Sequence, residues 1–493
     1  MQLKQLIKNI GLTDFAKENI DFEVKGISCN SKAMEKDFIF VAIQGTHEDG
    51  HEFIQEAIER GAKAVIVQCQ APAYWQGSVK CQDRINFIQV ADTRITLAKL
   101  AAEFYGNPSQ KIKTIGITGT NGKTTVSYLL EALLKEYGRT PAVIGTINYR
   151  FKDKILPSKN TTPGPLEIQS MLAQMQKEGV DYAIMEVSSH ALHQDRVEGI
   201  NFESAIFTNL TQDHLDYHKT IENYFQAKSK LFKNMQPEVF AVLNNDDAYS
   251  RRLKEITKAQ IITYGIEQNS DVTAKDIKCD LSSTEFVLKA HHQEINIKTR
   301  LIGRHNVYNI LCTAAWASKE GIAVSVLKSA IDKFRSVPGR LERITRDSDF
   351  LVFVDYAHTE DALNKVLGTL RPLSKNRIIV VFGCGGERDK TKRPKMGYAV
   401  TEQADFAIIT NDNPRSEDPQ EIISDIKEGI KKDNYCVIAD RDEAIKKALS
   451  LAKAGDIVLI AGKGHETYQV LKDRTIHFDD REVVRECFKS RSY

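Results

Sequence analysis

The chain has 493 residues, of which 42% are hydrophobic and 27% are charged. These fractions are typical of a folded globular protein and exclude a wholly disordered chain or a fibrous repeat. At roughly 100 to 200 residues per domain, the length predicts about three domains. Lysine and arginine (68) balance aspartate and glutamate (66) to a net charge of +2, so we expect neither nucleic acid nor an anionic membrane as a partner.

The N-terminus and the cysteines indicate the compartment. One helical face holds the apolar residues Leu3, Leu6, Ile7 and Ile10. This spacing predicts a short amphipathic helix and no signal peptide, and no apolar run approaches the roughly 18 residues of a membrane span. The eight cysteines are scattered without a CxxC pair, so we expect neither a zinc site nor a disulfide framework. These features predict a cytoplasmic protein.

Residues 1–108 form the first predicted domain. Short apolar runs at 38–42 and 64–67 alternate with a helical pattern at 52–60, which predicts an α/β module. A predicted helix at 97–105 is followed by Gly106-Asn107-Pro108, residues that end regular structure. We therefore place the first domain boundary there.

Residues 109–337 form the second predicted domain, in which apolar strands alternate with amphipathic helices. This alternation predicts a parallel α/β sheet. Polar and apolar residues alternate over 271–301, which predicts an antiparallel extension of that sheet. The predicted buried strands are 114–118, 142–145, 182–187, 205–208 and 240–243.

Residues 338–493 form the third predicted domain, because the alternation of strands and helices restarts after Val337-Pro338-Gly339. We expect a second open sheet here. Its predicted strands are 350–354, 377–382, 406–410, 436–439 and 456–461.

The strongest motif is a glycine-rich turn between an apolar strand and an amphipathic helix. Such a turn presents backbone N–H groups to phosphate at a helix N-terminus. Gly119 and Gly122 permit close approach of a phosphate, and Lys123 supplies a cation. The hydroxyl of Thr124 or Thr125 is placed to reach Mg²⁺. The spacing departs from the general G-x4-G-K-[ST] pattern because its first glycine is missing.

Polar residues follow two later predicted strands. Glu186 and His190 come at the end of one strand, and Asp213 and His214 follow the other. Ligands in open α/β sheets lie beyond the carboxyl ends of strands, so we expect these side chains to share a site. Each histidine taken alone fits a structural role, whereas the cluster favours a functional site.

Together these motifs resemble those of the Mur ligases, the ATP-dependent amide-forming enzymes of peptidoglycan precursor synthesis. The resemblance extends through all three predicted domains, and the motif order matches. Motifs of the third domain resemble the member that adds the third residue of the stem peptide. The matching segments are GTNGKTT at 119–125, EVSSHAL at 186–192, TNLTQDHLDYH at 208–218, AKSK at 227–230, LNNDD at 243–247, GRHNVYN at 303–309, PGRLE at 338–342, FGCGGERD at 382–389, DNPR at 412–415 and GKGHE at 462–466.

The resemblance implies an α/β fold with three domains. These are an N-terminal α/β module that binds a UDP-sugar (UDP-MurNAc), a central P-loop parallel sheet that binds ATP, and a C-terminal Rossmann-like open sheet that binds an amino acid. The implied cofactors are ATP and two Mg²⁺ ions. From the residues alone, Asn306 also fits a helix cap, Arg340 a surface ion pair and Asp355 a turn. The implied ATP-binding residues are Gly119, Thr120, Asn121, Gly122, Lys123, Thr124, Thr125, Asn306, Arg340 and Asp355.

The same resemblance implies catalytic and metal-binding residues. Lys228 matches the lysine that these ligases carbamylate to N6-carboxylysine, which turns a cation into an anion able to bind a second Mg²⁺. Its alternative is an ordinary surface lysine on a helix at 224–232. The implied catalytic residues are Lys123, Glu186, His214 and Lys228. The implied metal ligands are Thr124, Glu186, His214 and the carbamylated Lys228.

Two sets of residues match positions that contact the nucleotide-sugar substrate. In the first domain Ser31 matches, although Asn30 and Lys32 depart from the usual Asp-Ser-Arg of the family. For the peptide end of this substrate, the matching residues are Asn160, Thr161, Thr162, Ser188, Gln194 and Arg196.

The third domain selects the incoming amino acid in this family. Arg415 is the form that accompanies meso-diaminopimelate, which differs from lysine by a carboxylate that a guanidinium can bind bidentately. From the residues alone, Arg415 also fits a surface pair with Glu417 or Asp418. The implied diaminopimelate-binding residues are Arg388, Asp412, Asn413, Pro414, Arg415, Gly462 and Glu466.

The resemblance therefore implies a ligase that joins meso-diaminopimelate to the D-glutamate γ-carboxylate of UDP-N-acetylmuramoyl-L-alanyl-D-glutamate through an acyl phosphate. These small molecules are the expected partners, and we expect a monomer. A folylpolyglutamate synthetase shares the phosphate loop and the chemistry, but the first domain and the DNPR and GKGHE motifs argue against it. An ATP-binding switch protein would leave Arg388, Arg415 and Glu466 unexplained.

Overall fold

The computed structural model describes residues 1–12, 21–45, 48–69, 85–290, 293–344 and 348–490. The strands form three main sheets, which follow one another along the chain, and one small hairpin. We call the three main sheets the N-terminal, central and C-terminal sheets. Within the described ranges, no helix is both long enough and apolar enough to cross a membrane.

The N-terminal sheet has four parallel strands in the order β1-β2-β3-β4. The predicted amphipathic helix is present, with Leu3, Leu6 and Ile7 almost completely buried. The strands are β1 (Gly26–Ser28), β2 (Phe38–Val41), β3 (Ala62–Gln68) and β4 (Asn86–Val90). The helices are α1 (Leu3–Asn9), α2 (Ile54–Glu59) and α3 (Thr93–Phe104), with 3₁₀ turns at Ser31–Ala33, Gly50–Phe53 and Pro108–Gln110.

The central sheet has eleven strands in the order β15-β14-β13-β12-β11-β10-β5-β9-β6-β7-β8. Pairing is parallel from β13 through β6 and antiparallel at both ends, so the extension predicted at 271–301 is present as β13 to β15. The strands are β5 (Lys113–Thr118), β6 (Pro141–Ile144), β7 (Asn148–Phe151), β8 (Lys154–Pro157), β9 (Tyr182–Glu186), β10 (Phe202–Phe207), β11 (Phe240–Asn244), β12 (Gln260–Gly265), β13 (Val272–Cys279), β14 (Thr284–Ala290) and β15 (Gln293–Thr299).

Helices cover both faces of the central sheet because alternate residues of its strands point to opposite sides. On β9, Ile184 packs in a cluster with Leu130 of α4, whereas Met185 packs with Leu172 of α5. The helices are α4 (Lys123–Glu136), α5 (Pro165–Lys177), α6 (Ser189–His193), α7 (Leu215–His218), α8 (Ile221–Lys233), α9 (Ala248–Ile256), α10 (Arg304–Lys319) and α11 (Val324–Lys333).

The C-terminal sheet has six strands in the order β16-β17-β21-β18-β19-β20, and all pairs except β16-β17 are parallel. The predicted α/β class with open parallel sheets is therefore confirmed. The strands are β16 (Glu342–Arg343), β17 (Leu351–Asp355), β18 (Ile378–Phe382), β19 (Phe406–Ile409), β20 (Tyr435–Val437) and β21 (Ile457–Ala461), followed by the hairpin β22 (Tyr468–Val470) and β23 (Thr475–His477). The helices are α12 (Glu360–Leu370), α13 (Lys392–Gln403), α14 (Pro419–Lys427), α15 (Arg441–Leu451) and α16 (Asp480–Ser490).

Strand register places the predicted motifs side by side. In the central sheet β5 lies between β9 and β10, with Ile117 opposite Glu186 and Thr118 opposite Phe207. Parallel strands end at the same edge of a sheet, so the loops that follow these three strands are neighbours. The phosphate-loop motif and the two polar motifs therefore converge at one edge.

A buried ion pair fixes the corresponding edge of the C-terminal sheet. The guanidinium of Arg441, at the start of α15, binds both carboxylate oxygens of Asp480 on α16 at 2.8 Å. Neither side chain is exposed to solvent. Arg441 also donates to the backbone oxygens of Ala461, at the end of β21, and Asn411, just after β19. This pair therefore holds together the strand ends that precede DNPR and GKGHE.

We expect Arg441→Met to destabilise the protein by about 3–5 kcal/mol, because the buried Asp480 carboxylate would lose its counter-charge. Lys446→Met is the matched control, since Lys446 pairs with Asp442 and Glu443 on the surface of the same helix. Its effect should stay within about 0.5 kcal/mol. Guanidinium unfolding followed by circular dichroism measures both, and equal effects of the two substitutions would contradict this account of Arg441.

Candidate functional site

A cavity of about 1810 Å³ lies between the central and C-terminal sheets, where the loops at the carboxyl ends of their strands face each other. From the central sheet, the sequence-predicted residues that line it are Asn160, Thr161, Thr162, Ser188, Arg196 and His214. From the C-terminal sheet, they are Arg388, Asp412, Asn413, Arg415, Gly462 and Glu466. Residues predicted from separate motifs thus share one cavity.

The glycine-rich turn joins β5 to α4 in a conformation that only small residues permit. Gly119 and Gly122 have φ angles of 146° and 91°. A Cβ on Gly119 would overlap the Thr208 hydroxyl, and one on Gly122 would lie 2.6 Å from Oδ1 of Asn309. The first N–H groups of α4 lack partners within the helix and carry partial positive charge, so the turn fits a nucleotide phosphate.

Lys123 lies at the start of α4 with its ammonium group folded back over the turn. Its Nζ donates to the backbone oxygens of Gly119 at 2.8 Å and Thr120 at 2.9 Å. Burial lowers the pKa of Lys123, and the nearby carboxylates of Glu186 and Asp213 oppose this shift. These anions favour the charged form that an incoming phosphate would pair with.

Glu186 ends β9 as a buried carboxylate beside the turn, only 1% exposed. It accepts hydrogen bonds from the hydroxyls of Thr124 and Thr146, each at 2.8 Å, and from the backbone N–H of Thr146 at 3.1 Å. Hydroxyl and carboxylate oxygens side by side are the ligand types that Mg²⁺ prefers. Thr124 and Glu186 therefore fit the predicted metal site.

The predicted ligand His214 belongs to a group of stacked rings at the cavity wall. It has a φ angle of 54°, and its ring contacts that of His190 edge to face at 4.8 Å. Its Nε2 lies 3.5 Å from Asp213, and burial lowers the pKa of His214. Among the described residues, no three His, Cys, Asp or Glu side chains are grouped as a ready metal site. Metal binding here would thus depend on Thr124 and on modification of Lys228.

Lys228 of α8 is 1% exposed, so its alternative as a surface lysine is wrong. Its Nζ donates to the backbone oxygen of Gly119 at 2.8 Å and lies 4.5 Å from the ring centre of Tyr224. Burial, together with the charge of Lys123, lowers its pKa well below the usual value. Two lysine side chains thus donate to one carbonyl, an arrangement that favours the neutral form of one of them.

The predicted nucleotide residues separate into two groups. Arg340 reaches the phosphate loop, with Nη2 3.4 Å from the Thr124 hydroxyl and its guanidinium 4.7 Å from the ring centre of Tyr356. Asp355 is buried and accepts from the backbone N–H groups of Leu341 and Ala357, as its turn alternative predicted. Burial raises the pKa of Asp355.

Asn306 lies inside α10 and is not its cap, because the residue that precedes the helix is Gly303. Its side chain donates to the backbone oxygen of Ile302 at 2.9 Å and accepts from Asn309 at 3.0 Å. The structure thus brings Arg340 to the phosphate loop, whereas Asn306 and Asp355 bind other protein groups. None of the predicted ATP-binding residues lines the cavity itself, and neither do Glu186 and Lys228.

The residues matched to the peptide end of the substrate surround Thr162. The Thr162 hydroxyl donates to the backbone oxygen of Glu186 at 2.8 Å and accepts from the Ser188 N–H at 2.9 Å. Arg196 donates to the Thr162 backbone oxygen at 2.9 Å and to Gln194. Gln194 supports Arg196 without lining the cavity. This group therefore connects the carboxylate of the metal site to the cavity wall.

Ser31 and Pro414 do not line the cavity. Ser31 lies at the N-terminal sheet, where its hydroxyl donates to Glu56 at 2.6 Å. Pro414 is buried within the DNPR loop. Ser31, the predicted residue of the N-terminal sheet, thus lies apart from the residues that line the cavity.

The DNPR and GKGHE loops meet at the cavity. Arg415 has a φ angle of 54° and donates to the backbone oxygens of Gly386 at 2.7 Å and Asn413 at 3.4 Å. Among the described residues no ion pair joins Arg415 to Glu417 or Asp418, because Glu417 pairs with Lys390 and Arg393. The guanidinium therefore remains available to a ligand.

The site residues that sequence reasoning missed include Thr146, Asn309 and Lys463. Thr146 binds Glu186 by hydroxyl and backbone, and Asn309 abuts the phosphate loop. Lys463 is fully buried beside Glu466. Asn309 and Lys463 lie within motifs already singled out, whereas Thr146 follows a predicted strand end and could have been found by the same edge argument.

We expect Gly119→Ala to lower nucleotide affinity at least about tenfold, because the methyl group would displace Thr208 and strain the turn. Gly138→Ala is the matched control, since this glycine also has a positive φ, of 75°, but has open space around it. Titration calorimetry with ATP measures the effect. Similar losses for both variants would indicate that backbone strain, and not the shape of the phosphate loop, governs the result.

Comparisons with known proteins match all three parts of the chain. Residues 23–105 match the model described as Mur ligase family, catalytic domain. Residues 117–317 match the Mur ligase middle domain, and residues 339–464 match the Mur ligase, glutamate ligase domain. The matched segments contain the three main sheets in order.

Individual relatives are similar over nearly the whole chain. UDP-N-acetylmuramoyl-L-alanyl-D-glutamate--2,6-diaminopimelate ligase 1 of Clostridium acetobutylicum is 45% identical over 491 residues, covering 99% of both chains. A solved structure of a ligase of this name is 33% identical, with a TM-score of 0.70 and 99% of both chains covered. The MurF ligase of Thermotoga maritima in complex with ADP is 21% identical, with a TM-score of 0.63 over 95% of this chain and 97% of that one, and this likeness shows the fold.

Proposed function

This chain belongs to the Mur ligase family, and we propose that it catalyses ATP-dependent amide formation between meso-diaminopimelate and UDP-N-acetylmuramoyl-L-alanyl-D-glutamate. The acid that reacts is the γ-carboxylate of D-glutamate. The protein is therefore a ligase of peptidoglycan precursor synthesis.

One observation carries the proposal. A phosphate loop with an adjacent oxygen-ligand pair adjoins the cavity, because Glu186 accepts hydrogen bonds from Thr146 and Thr162 of the cavity wall, and an arginine-bearing loop from a second sheet lines the same cavity. An amide ligase needs such an arrangement, because the activated acid and the amine must meet away from water. A nucleotide-binding switch would need only the first half of it.

ATP supplies the phosphoryl group that converts the unreactive carboxylate to an acyl phosphate, from which an amine can displace phosphate. The turn at 119–125 holds the phosphates, and Lys123 offsets their negative charge. Arg340 lies next to Thr124 and provides a second cation beside the phosphate loop. Both cations thus lie where negative charge accumulates during phosphoryl transfer.

Thr124 and Glu186 would hold Mg²⁺, and His214 with a carbamylated Lys228 would complete the sites for two ions, whose charge would offset that of the phosphates. Lys228 supports this assignment by its burial and its lowered pKa, since carbon dioxide reacts with the neutral form of an amine. The carbamate would lie near the Lys123 ammonium and so replace repulsion between two cations with attraction. The modification thereby gives the buried Lys123 ammonium a neighbouring anion in place of a second amino group.

The amino acid is selected at the DNPR and GKGHE loops. Arg415 binds the distal carboxylate of diaminopimelate, and Glu466 with Gly462 binds the distal ammonium. Arg388, which is exposed at the cavity, binds the other carboxylate. Lysine lacks the distal carboxylate and would leave Arg415 without a partner, so it is a poor substrate.

Residues 1–108 bind the UDP-sugar part of the substrate through Ser31, residues 109–337 bind ATP, and residues 338–493 bind the amino acid. The dipeptide part of the substrate is contacted by Thr162, Ser188 and Arg196, which hydrogen-bond to one another. The protein acts as a cytoplasmic monomer on small molecules. The match of residues 23–105 to the family supports this assignment over a folylpolyglutamate synthetase.

The function is tested by phosphate release from ATP with the UDP-linked dipeptide and either meso-diaminopimelate, L-lysine or no amino acid. We expect release and tripeptide formation with diaminopimelate, because only this amino acid satisfies both Arg415 and Glu466. Release with lysine alone would retain the ligase and overturn the specificity. Absence of release with either amino acid would exclude this reaction.

We expect Arg415→Met to lower kcat/KM for diaminopimelate by roughly ten- to a hundredfold, through loss of a charge-assisted hydrogen bond, and to change ATP affinity little. The measurement is the ratio of kcat/KM for diaminopimelate and lysine. Arg371→Met is the control, since Arg371 pairs with Asp405 on the surface of the same part of the chain. An unchanged ratio would refute the role of Arg415.

Carbamylation predicts a carbon-13 carbamate resonance when the protein is prepared in labelled bicarbonate. Lys228→Met should abolish this resonance and most of the activity, because the second metal ion would lose its ligand. Lys230→Met is the control, since Lys230 lies on the same helix but is exposed and pairs with Asp195. A resonance that persists in Lys228→Met would place the modification elsewhere.

A further inference from the structure

Lys463 is a buried lysine in a glycine-flanked loop at the amino-acid end of the cavity. Its side chain is completely inaccessible to solvent. The flanking Gly462 and Gly464 have φ angles of 113° and 56°, so the loop turns sharply inward after β21. Burying an ammonium group costs several kcal/mol before its interactions offset that cost.

The Lys463 ammonium group is held by two residues that line the cavity. Its Nζ lies 3.1 Å from Oδ1 of Asn413 and 3.1 Å from Oε2 of Glu466. The Asn413 amide donates to the same Glu466 oxygen at 2.9 Å, which closes a triangle of hydrogen bonds. Asn413 also accepts from the backbone N–H of Val470 at 2.9 Å. This network fixes the orientation of both Asn413 and Glu466.

The network leaves one oxygen of Glu466 free for a ligand. Oε2 accepts from both Lys463 and Asn413, whereas no hydrogen bond from a described residue to Oε1 is found. Glu466 lines the cavity and Lys463 lies behind it. Lys463 therefore acts on a ligand through Glu466 and does not touch it.

Lys463 places a positive charge directly behind Glu466, in a cavity that Arg388 and Arg481 also line. Arg415 and Lys463 are positive, and Glu466 and Asp412 are negative; Asp412 also lines the cavity. The distal end of diaminopimelate carries one ammonium and one carboxylate, which together are neutral. The distal end of lysine carries the ammonium alone. Because Lys463 offsets the Glu466 charge, Glu466 attracts a lone ammonium less strongly than it would without Lys463.

We propose that Lys463 is a positioning and specificity-determining residue, which orients Glu466 and Asn413 and offsets the Glu466 charge so that lysine is disfavoured. This inference rests on the proposed function, since it assumes that an amino acid with a distal ammonium group binds at Glu466. Discrimination against lysine as a substrate thus has two components. Arg415 binds the distal carboxylate that lysine lacks, and Lys463 weakens the attraction of Glu466 for a lone ammonium.

The test compares Lys463→Met, Lys463→Gln and the surface control Lys446→Met in the full-length enzyme. For Lys463→Met we expect KM for diaminopimelate to rise at least about tenfold and the kcat/KM preference over lysine to fall at least about fivefold, with KM for ATP nearly unchanged. Lys463→Gln keeps a hydrogen-bond donor without the charge. It should recover part of the diaminopimelate affinity but not the preference.

The outcomes separate this inference from the proposed function. An unchanged preference in folded Lys463→Met or Lys463→Gln, with wild-type activity established, overturns the role of Lys463 alone. Equal increases in KM for ATP and for diaminopimelate would indicate general misfolding of the site. This result would also overturn the role of Lys463. If the wild-type enzyme itself does not use diaminopimelate, the proposed function fails first. The glutamine variant provides the result should the methionine variant not fold.

Discussion

The parallel pairing of β5 with β9 on one side and β10 on the other is the constraint on which the site depends. It sets Ile117 opposite Glu186 and Thr118 opposite Phe207, so the three loops that follow leave the sheet together. The hydrogen bond from Thr124 to Glu186 then connects the phosphate loop to the neighbouring strand. A slip of one residue in this register would turn Glu186 to the opposite face and remove the carboxylate from the loop.

The same logic repeats in the C-terminal sheet, and the cavity exists because the two sets of strand ends face each other. Each sheet supplies chemistry that the other lacks. The central sheet has backbone N–H groups, hydroxyls and Glu186, which we propose serve phosphate and metal, whereas the C-terminal sheet has Arg415 and Glu466 at the cavity, which we propose serve a zwitterion. Amide formation between two bound molecules follows from the meeting of these sets.

Much of this arrangement could be predicted from the sequence, because apolar runs and glycine turns are local signals. The strands around the phosphate loop and the antiparallel extension at 271–301 have the predicted positions. The hairpin β7-β8 was missed, since β8 is exposed throughout and lacks an apolar run. The burial of Lys463 was also unpredictable, because its partner Asn413 lies 50 residues away and a lysine between glycines is typical of an exposed turn. The roles assigned to individual site residues stay predictions.

The ion pair between Arg441 and Asp480 makes helix α16 necessary for the strand ends of the C-terminal sheet, although this helix lies at the surface. Asp480 is contributed from beyond every strand of the C-terminal sheet, yet it neutralises the cation that binds the ends of β19 and β21. A chain shortened before residue 480 would keep Arg415 and Glu466, lose Arg481 from the cavity wall and leave the Arg441 guanidinium unpaired. Truncation, fusion or proteolysis at the C-terminal end would thus disturb the DNPR and GKGHE loops through Arg441, without a direct contact.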